Sequence, residues 1–218
     1  MTGPVRDLYM GNRVYLEGPH ILKRNGYYYL FCADTGTGEG HGQFIQTLIA
    51  RRWTEFIFEA DTKMEFEPEV FKQMAGLICM YDTDNYFYLH VTYDEDLGKC
   101  MSILTAENKA YAYPIANLPI KEGEPIYLKV EVSYDKLQFS YGIEEEEYCK
   151  IGPVFDASIL SDEACDEGWF TGAMVGICCQ NLTGSGKYAD FDWFTYHADS
   201  DDRKERECSS TREQKSRI

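Results

Sequence analysis

The chain has 218 residues, with 21 Lys and Arg against 37 Asp and Glu, and so a formal net charge of −16. Hydrophobic residues make up 44% of it and aromatic residues 15%, which is the composition of a globular protein and not of a disordered one. This length suits one compact domain, or one domain with an appendage. The acidic balance argues against nucleic acid as a partner, because phosphate binding depends on clustered Lys and Arg. Neutral or cationic small molecules, sugars included, remain open.

Targeting and cysteine signals point to the cytoplasm. No stretch approaches the roughly 18–20 apolar residues of a membrane-spanning helix, so no membrane partner is expected. The first ten residues have no apolar run of the kind found in a signal peptide, and the eight cysteines lack metal-site spacing such as Cys-x-x-Cys. We therefore expect a cytoplasmic protein with thiols and not a disulfide framework. Cys178 and Cys179 are neighbours on a predicted strand and should point to opposite faces.

The first predicted element is a β-hairpin at residues 20–32. Asn25-Gly26 lies there between two β-prone runs, and this dipeptide suits a type I′ turn. An isolated hairpin is marginal in water, so this one needs neighbours that cover it.

Residues 41–198 carry all of the −16, with 11 basic and 27 acidic residues, and they are predicted to be β nearly throughout. Residues 53–60 alternate large apolar and polar side chains, as a half-buried strand does. Further strands are predicted at 75–81, 86–93, 99–105, 126–134, 137–141, 148–151, 170–180 and 188–196, with one or two helical turns at 158–164. Regular strands separated by Gly, Asp and Asn turns predict an all-β fold, an antiparallel sandwich or jelly roll.

Two parts of the chain resemble one enzyme family. Glu17-Gly18-Pro19-His20, the hairpin after it and the glycine-rich loop that ends at His41 resemble the general-acid blade of the family-43 glycoside hydrolases, the β-xylosidases and α-L-arabinofuranosidases. The second domain of these enzymes is a concanavalin-A-like β-sandwich, and its motifs are resembled by residues 50–53, 58–68, 71–79, 151–158, 170–180 and 189–194.

This resemblance implies a domain organisation. Residues 1–42 would be a fragment of a five-bladed catalytic propeller, 43–197 the C-terminal sandwich and 198–218 a disordered tail, since the last segment has almost no apolar side chain. A propeller blade takes about 40–50 residues, so the join at residues 41–44 leaves no room for the other blades. The chain thus resembles an internally deleted β-xylosidase.

The resemblance also assigns one site residue, Glu17, as the general acid of an inverting glycosidase. An inverting enzyme needs a second carboxylate as general base, about 6.5–9.5 Å away. The family's base and its pKa-modulating aspartate belong to the missing blades, so whether this chain is an enzyme stays open, and we expect it to be inactive. The implied activity is hydrolysis of terminal β-1,4-xylosyl or α-L-arabinofuranosyl residues. The alternative is a non-catalytic accessory module that packs on a propeller partner.

Other candidates are assigned structural roles. His20 is interpreted as a turn residue, His41 as a surface histidine and the acidic run 144–147 as a solvated turn. No cofactor is implied. A calcium ion near Asp190 and Asp192 is the less favoured alternative to a polar strand face.

Two interactions with partners follow from the same reasoning. The expected ligand is a xylo- or arabino-oligosaccharide, by resemblance. A sugar-stacking role for Tyr86, Tyr88 and Tyr93 is less favoured than a core or sheet-face role. Self-association is also expected, through an exposed hairpin face that carries Tyr27, Tyr29 and Phe31.

Overall fold

The computed structural model of the protein describes residues 16–24, 27–34, 45–145, 147–165, 172–183 and 185–198, with side chains from residue 47 onward. The strands in these ranges are, in chain order, β1 (Leu16–Arg24), β2 (Tyr27–Asp34), β3 (Ile45–Arg52), β4 (Ile57–Glu65), β5 (Gln73–Met80), β6 (Tyr86–Asp94), β7 (Gly98–Glu107), β8 (Ala110–Ala112), β9 (Leu118–Pro119), β10 (Ile126–Ser133), β11 (Lys136–Gly142), β12 (Cys149–Asp156), β13 (Met174–Asn181) and β14 (Asp190–Ala198). A single 3-10 turn, Ala157–Leu160, is the helical element of the described chain, which holds no helix long and apolar enough to cross a membrane.

Two antiparallel sheets form the body of the protein. The smaller has five strands in the order β12-β11-β10-β4-β14. The larger has seven, in the order β3-β13-β5-β6-β7-β8, with β9 pairing a second stretch of β7. The hairpin β1-β2 is a separate two-stranded sheet, and its second strand contacts β3. The predicted all-β antiparallel sandwich is confirmed.

The core lies between the two sheets because alternate side chains of each strand point inward. On β4 this alternation buries Phe58, Ala60, Thr62 and Met64. Leu77, Leu89, Met101 and Ile103 are fully buried on the larger sheet, and Leu128, Val130, Leu137 and Phe139 on the smaller one. Each such aliphatic or aromatic side chain contributes about 1.5–3 kcal/mol by leaving water, so the two inner faces hold the sandwich together.

The face of the larger sheet that points away from this core also has a hydrophobic cluster. Ile78, Tyr88 and Cys178 are buried there, separately from the main core. Cys179 packs against the main core, so the prediction that Cys178 and Cys179 point to opposite faces is confirmed. No disulfide joins the six cysteines whose side chains the structure describes.

The bounds of several predicted elements are wrong. Residues 53–56 belong to no strand, because the chain there leaves the larger sheet at Arg52 and enters the smaller one at Ile57. β12 runs on past the predicted end at residue 151, since an edge strand tolerates Pro153. The predicted helix at 158–164 shrinks to the 3-10 turn Ala157–Leu160, and β3, β8 and β9 were not predicted.

Candidate functional site

The predicted general acid, Glu17, lies at the second position of β1, where it pairs with Ala33 of β2. The pairing register shifts between Glu17 and His20, so Gly18 and Pro19 form an irregularity in the strand. Proline has no N–H for the ladder and is tolerated at such a bulge. The side chain of Glu17 lies outside the described part of the structure, and its role as general acid stays a prediction.

The hairpin around this motif is confirmed. The register runs from His20 opposite Phe31 to Arg24 opposite Tyr27, which leaves a two-residue connection between the strands. The predicted type I′ turn at residues 25–26 lies outside the described residues, and so does His41. Within the predicted propeller fragment 1–42, the structure describes only the two hairpin strands, and within the predicted tail 198–218 it describes only residue 198. The domain boundaries therefore stay predictions.

Asp192, one of the two acids considered for calcium, has another partner. The Asp192 carboxylate accepts a hydrogen bond from Lys63 Nζ at 2.6 Å, while Asp190 is exposed and pairs in register with Glu65. The register shifts between Phe191 and Trp193, so the simple alternation that placed both acids on one face is interrupted. No three His, Cys, Asp or Glu side chains of the described chain are grouped so that they could hold a metal ion.

Two other carboxyl groups have shifted pKa values, and both are lowered. The hydrogen bond from Asn117 lowers the pKa of Asp94, with help from two backbone N–H groups. Hydrogen bonds from Ser158 lower the pKa of Asp156, which caps the 3-10 turn. A general acid needs a raised pKa so that it holds its proton near neutral pH. Neither group is therefore suited to act as one.

Tyr86 and Tyr88 of β6 lie on the outer face of the larger sheet. Tyr88 is fully buried, donates its hydroxyl to the Cys178 carbonyl at 3.0 Å and stacks on the ring of His90 at 4.8 Å between centroids. Tyr86 lies 6.4 Å from the ring of Tyr111. The sheet-face interpretation is confirmed for Tyr88, because its covered ring cannot stack on a ligand.

A groove of about 600 Å³ lies beside this cluster on the same outer face. The residues that matter for its chemistry are Phe71, His90, Asp94, Asp96, Ser102 and Tyr113. His90 of β6 and Ser102 of β7 are directly opposite each other in the antiparallel register and form the floor. Each is only 1% exposed.

The floor offers two different hydrogen-bonding groups. His90 Nδ1 lies 3.1 Å from the Tyr88 carbonyl, and since a carbonyl only accepts, this nitrogen carries the proton. Burial lowers the pKa of His90 to about 4, so the ring is neutral at pH 7 and its Nε2 is an acceptor. The Ser102 hydroxyl is buried and has no hydrogen-bond partner within the described part of the chain.

The rim of the groove combines an ordered acidic turn with exposed aromatic rings. Asp94 Oδ1 accepts from the N–H groups of Asp96 and Leu97 at 2.9 and 3.1 Å, and Oδ2 accepts from Asn117 Nδ2 at 2.8 Å. Phe71 is 59% exposed and Tyr113 is 63% exposed. Sequence reasoning missed this groove; the signal that could have found it is the period-two spacing of Tyr88, His90 and Thr92, which places them on one face of β6.

The fold and motifs have close matches among known proteins. The family described as beta xylosidase C-terminal concanavalin A-like domain matches residues 17–197. Beta-xylosidase of Bacillus subtilis is 38% identical over 156 residues, which are 70% of this chain and 29% of that protein. Xylosidase/arabinosidase 43B of Humicola insolens is 40% identical over 164 residues, which are 70% of this chain and 30% of that protein.

A solved structure agrees with these matches. The crystal structure of xylan beta-1,4-xylosidase from Bacillus halodurans C-125 superposes with a TM-score of 0.69 at 38% identity, covering 71% of this chain and 30% of that one. The chain thus spans about 30% of the length of the relatives that it matches. The resemblance to family-43 glycoside hydrolases is confirmed, and by the extent of the match the chain belongs to the family of β-xylosidase C-terminal concanavalin-A-like domains.

Proposed function

We propose that this chain is the accessory β-sandwich of a glycoside hydrolase that removes terminal β-1,4-xylosyl or α-L-arabinofuranosyl residues, and that it carries out no hydrolysis by itself. The observation that carries the proposal is the match of residues 17–197 to a C-terminal domain of β-xylosidases. The relatives in which that domain occurs are named for xylosidase and arabinosidase activity.

The carboxylates of the chain support the non-catalytic half of the proposal. Inversion needs an acid and a base at a defined separation. The resemblance supplies one candidate, Glu17, and no base. Asp94 and Asp156 hold lowered pKa values, which favours roles in hydrogen bonding over proton donation.

An assay tests this half directly. The purified chain is incubated with an aryl β-xyloside and an aryl α-L-arabinofuranoside, beside a Glu17→Gln variant as the matched control. We expect the two proteins to release the aryl alcohol at the same rate as buffer. Turnover above that of the Glu17→Gln variant would show that the chain is an enzyme and would overturn the proposal.

The other part of the proposal, an accessory role, requires a catalytic domain to which the chain binds. Support comes from the hairpin: β1 and β2 carry the propeller-like motif, and β2 contacts β3, the edge strand of the larger sheet. We expect the chain to bind the catalytic propeller portion of the Bacillus subtilis relative, produced separately, as a complex in size-exclusion chromatography. An unrelated acidic β-sandwich protein is the control. Separate elution at micromolar concentrations would contradict this half.

In the absence of a propeller partner, we expect the chain to associate with a second copy. The predicted hairpin face at Tyr27, Tyr29 and Phe31 motivates it, because exposed aromatic strand pairs associate. Sedimentation velocity at several concentrations distinguishes the two cases. We expect a concentration-dependent dimer that disappears when the propeller is added, and a monomer at every concentration would count against self-association.

A further inference from the structure

The floor of the outer-face groove contains a polar group that no described residue satisfies. The Ser102 hydroxyl is buried there without a hydrogen-bond partner among the described residues, which is unfavourable for folding. Native proteins keep few such groups, and each needs an explanation. The hydroxyl lines a groove of about 600 Å³, which falls within the roughly 300–1,000 Å³ of ligand pockets. A bound ligand in that groove would supply the missing hydrogen bond.

The charges around the groove restrict the ligand. Asp94, Glu95 and Asp96 lie at its rim, and the described residues that line it include no Lys or Arg. The neutral ring of His90 adds no positive charge at pH 7. An anion would therefore lose its hydration and gain only repulsion. Neutral and cationic ligands remain.

The two floor groups decide between these classes. A quaternary ammonium ligand could lie over an aromatic ring. Like a primary ammonium group, it offers no acceptor for the proton of the Ser102 hydroxyl, which would stay without a hydrogen bond. A sugar hydroxyl donates and accepts at once, and can therefore satisfy both groups.

The exposed rings match the other property of a sugar, its apolar C–H face. Tyr113 presents most of its ring to solvent at the rim. The backbone that carries Phe71 is anchored, because Thr92 Oγ1 donates to the Phe71 and Gln73 carbonyls at 3.2 and 3.0 Å. Large rigid aromatic surfaces that are already in position bind with little loss of conformational entropy. Acceptors at the rim, in Asp94 and Asp96, would receive further sugar hydroxyls.

We propose that the groove lined by Phe71, His90, Ser102 and Tyr113 on the outer face of the larger sheet is a binding site for a neutral saccharide. The site is complete within the sandwich, and its ligand is held and not cleaved. It would keep the domain on a polysaccharide while a catalytic partner acts elsewhere on the chain of sugars. The choice of xylose as the unit to test first rests on the proposed function, whereas the saccharide class rests on the groove.

Calorimetric titration of the full chain tests the site, with xylohexaose, cellohexaose and mannohexaose as probes. We expect at least one of them to bind, and Tyr113→Ala to weaken that binding at least tenfold. Ser102→Ala removes one hydrogen bond and should weaken it about three- to tenfold, since tenfold corresponds to about 1.4 kcal/mol. The matched control is Tyr111→Ala, an exposed tyrosine outside the groove, which should leave the affinity unchanged.

Folding and binding are separable in this design. Ser102→Ala deletes an unsatisfied buried hydroxyl, so the unliganded variant should be as stable as the wild-type chain or more stable. The proposal is overturned if no hexasaccharide binds, or if the Ser102→Ala and Tyr113→Ala variants bind as tightly as the wild-type chain. It is also overturned if tetramethylammonium or sulfate binds in the groove in place of the sugars. None of these results depends on xyloside turnover, so the proposed function is tested independently.

Discussion

His90 and Ser102 face each other across β6 and β7 on the side of the larger sheet that points away from the core. Both are 1% exposed, so a titratable ring and a hydroxyl are removed from water on a face that no second sheet covers within the described chain. The ring is held by its stacking on Tyr88 and by the bond from Nδ1 to the Tyr88 carbonyl. Part of the stability of the protein therefore depends on the protonation of this outer face.

Acidification below about pH 6.5 should destabilise the protein through His90. Its pKa falls from 6.5 to about 4 on folding, because burial disfavours the charged ring. Between these values the unfolded chain binds a proton that the folded chain does not, so the free energy of unfolding decreases as the pH falls. From pH 7 to pH 5 the loss should be about 2 kcal/mol. Urea unfolding at the two pH values measures it.

The matched variant is His90→Gln, which removes the titration. Its free energy of unfolding should change by less than about 0.5 kcal/mol over the same range. Asp94 and Asp156 have lowered pKa values, so their contribution is fully present above about pH 4 and is lost only at more acidic pH. An unaltered pH dependence in His90→Gln would show that other groups cause it.

The turn between β7 and β8 should gain stability from a glycine. Asn108 and Lys109 both have positive φ, 44° and 72°, and lie between the paired residues Glu107 and Ala110. Such a turn favours Asn followed by Gly, and the left-handed conformation costs a residue with a side chain about 1–2 kcal/mol. We expect Lys109→Gly to raise the free energy of unfolding by about 1 kcal/mol, measured by urea unfolding.

Lys109→Ala is the control for this turn. The Lys109 amino group is 3.6 Å from Asp84 Oδ2 and half exposed, so their ion pair contributes little. The alanine variant loses the ion pair but keeps a Cβ at the strained position, and should be no more stable than the wild-type chain. Equal stabilisation by Ala and Gly would contradict the conformational explanation.

Gly76 should be intolerant of any side chain. A Cβ at this position of β5 would lie 2.0 Å from the Leu89 carbonyl oxygen and 2.7 Å from His90 Cα, both in the backbone of β6. The backbone of a strand in the middle of a sheet cannot move aside without disturbing its hydrogen bonds to both neighbouring strands. We expect Gly76→Ala to cost about 2–3 kcal/mol in thermal or urea unfolding.

A second glycine separates crowding from conformational strain. Gly123 has a φ of 71° and open space around it, so Gly123→Ala tests strain alone and should cost about 1 kcal/mol. The prediction fails if Gly76→Ala is no more destabilising than Gly123→Ala.

The buried amino group of Lys99 should make Glu67 important for stability. The Lys99 side chain is 3% exposed, its Nζ lies 2.6 Å from Glu67 Oε1, and the same oxygen accepts from the Gly123 N–H at 2.8 Å. Glu67→Ala leaves a buried cation unpaired, which we expect to cost about 2 kcal/mol, moderated by the half-exposed position of the carboxylate. Urea unfolding is the measurement.

Two further variants complete this test. Lys99→Met removes the charge together with its need for a partner and should cost less than Glu67→Ala. Glu124→Ala breaks the exposed ion pair with Lys121 and should cost less than about 0.5 kcal/mol. If all three variants have the same effect, burial of the ion pair does not explain the importance of Glu67.

Local patterns predicted β5, β6, β7, β10 and β11 with bounds close to those observed. Both short apolar runs and alternation act over a few residues: β5, β6 and β7 are nearly continuous buried runs, and β10 and β11 alternate in part between buried and more exposed positions. The same alternation misled at residues 53–60. The backbone N–H of Trp53 donates to the Ala173 carbonyl at 2.9 Å, while Ile57 begins a strand of the other sheet. The periodicity of the sequence does not show where the chain changes from one sheet to the other.

The sequence by itself determined the β class, the sandwich architecture, the family and the location of the acidic charge, because periodicity, turn chemistry and motif density are properties of neighbouring residues. The tertiary structure alone decided which acids have partners and where the groove lies. His90 and Ser102 are twelve residues apart, and Phe71 and Tyr113 lie further away on either side. They share one groove because strand pairing joins them, and the register of that pairing follows from the packing of the whole core.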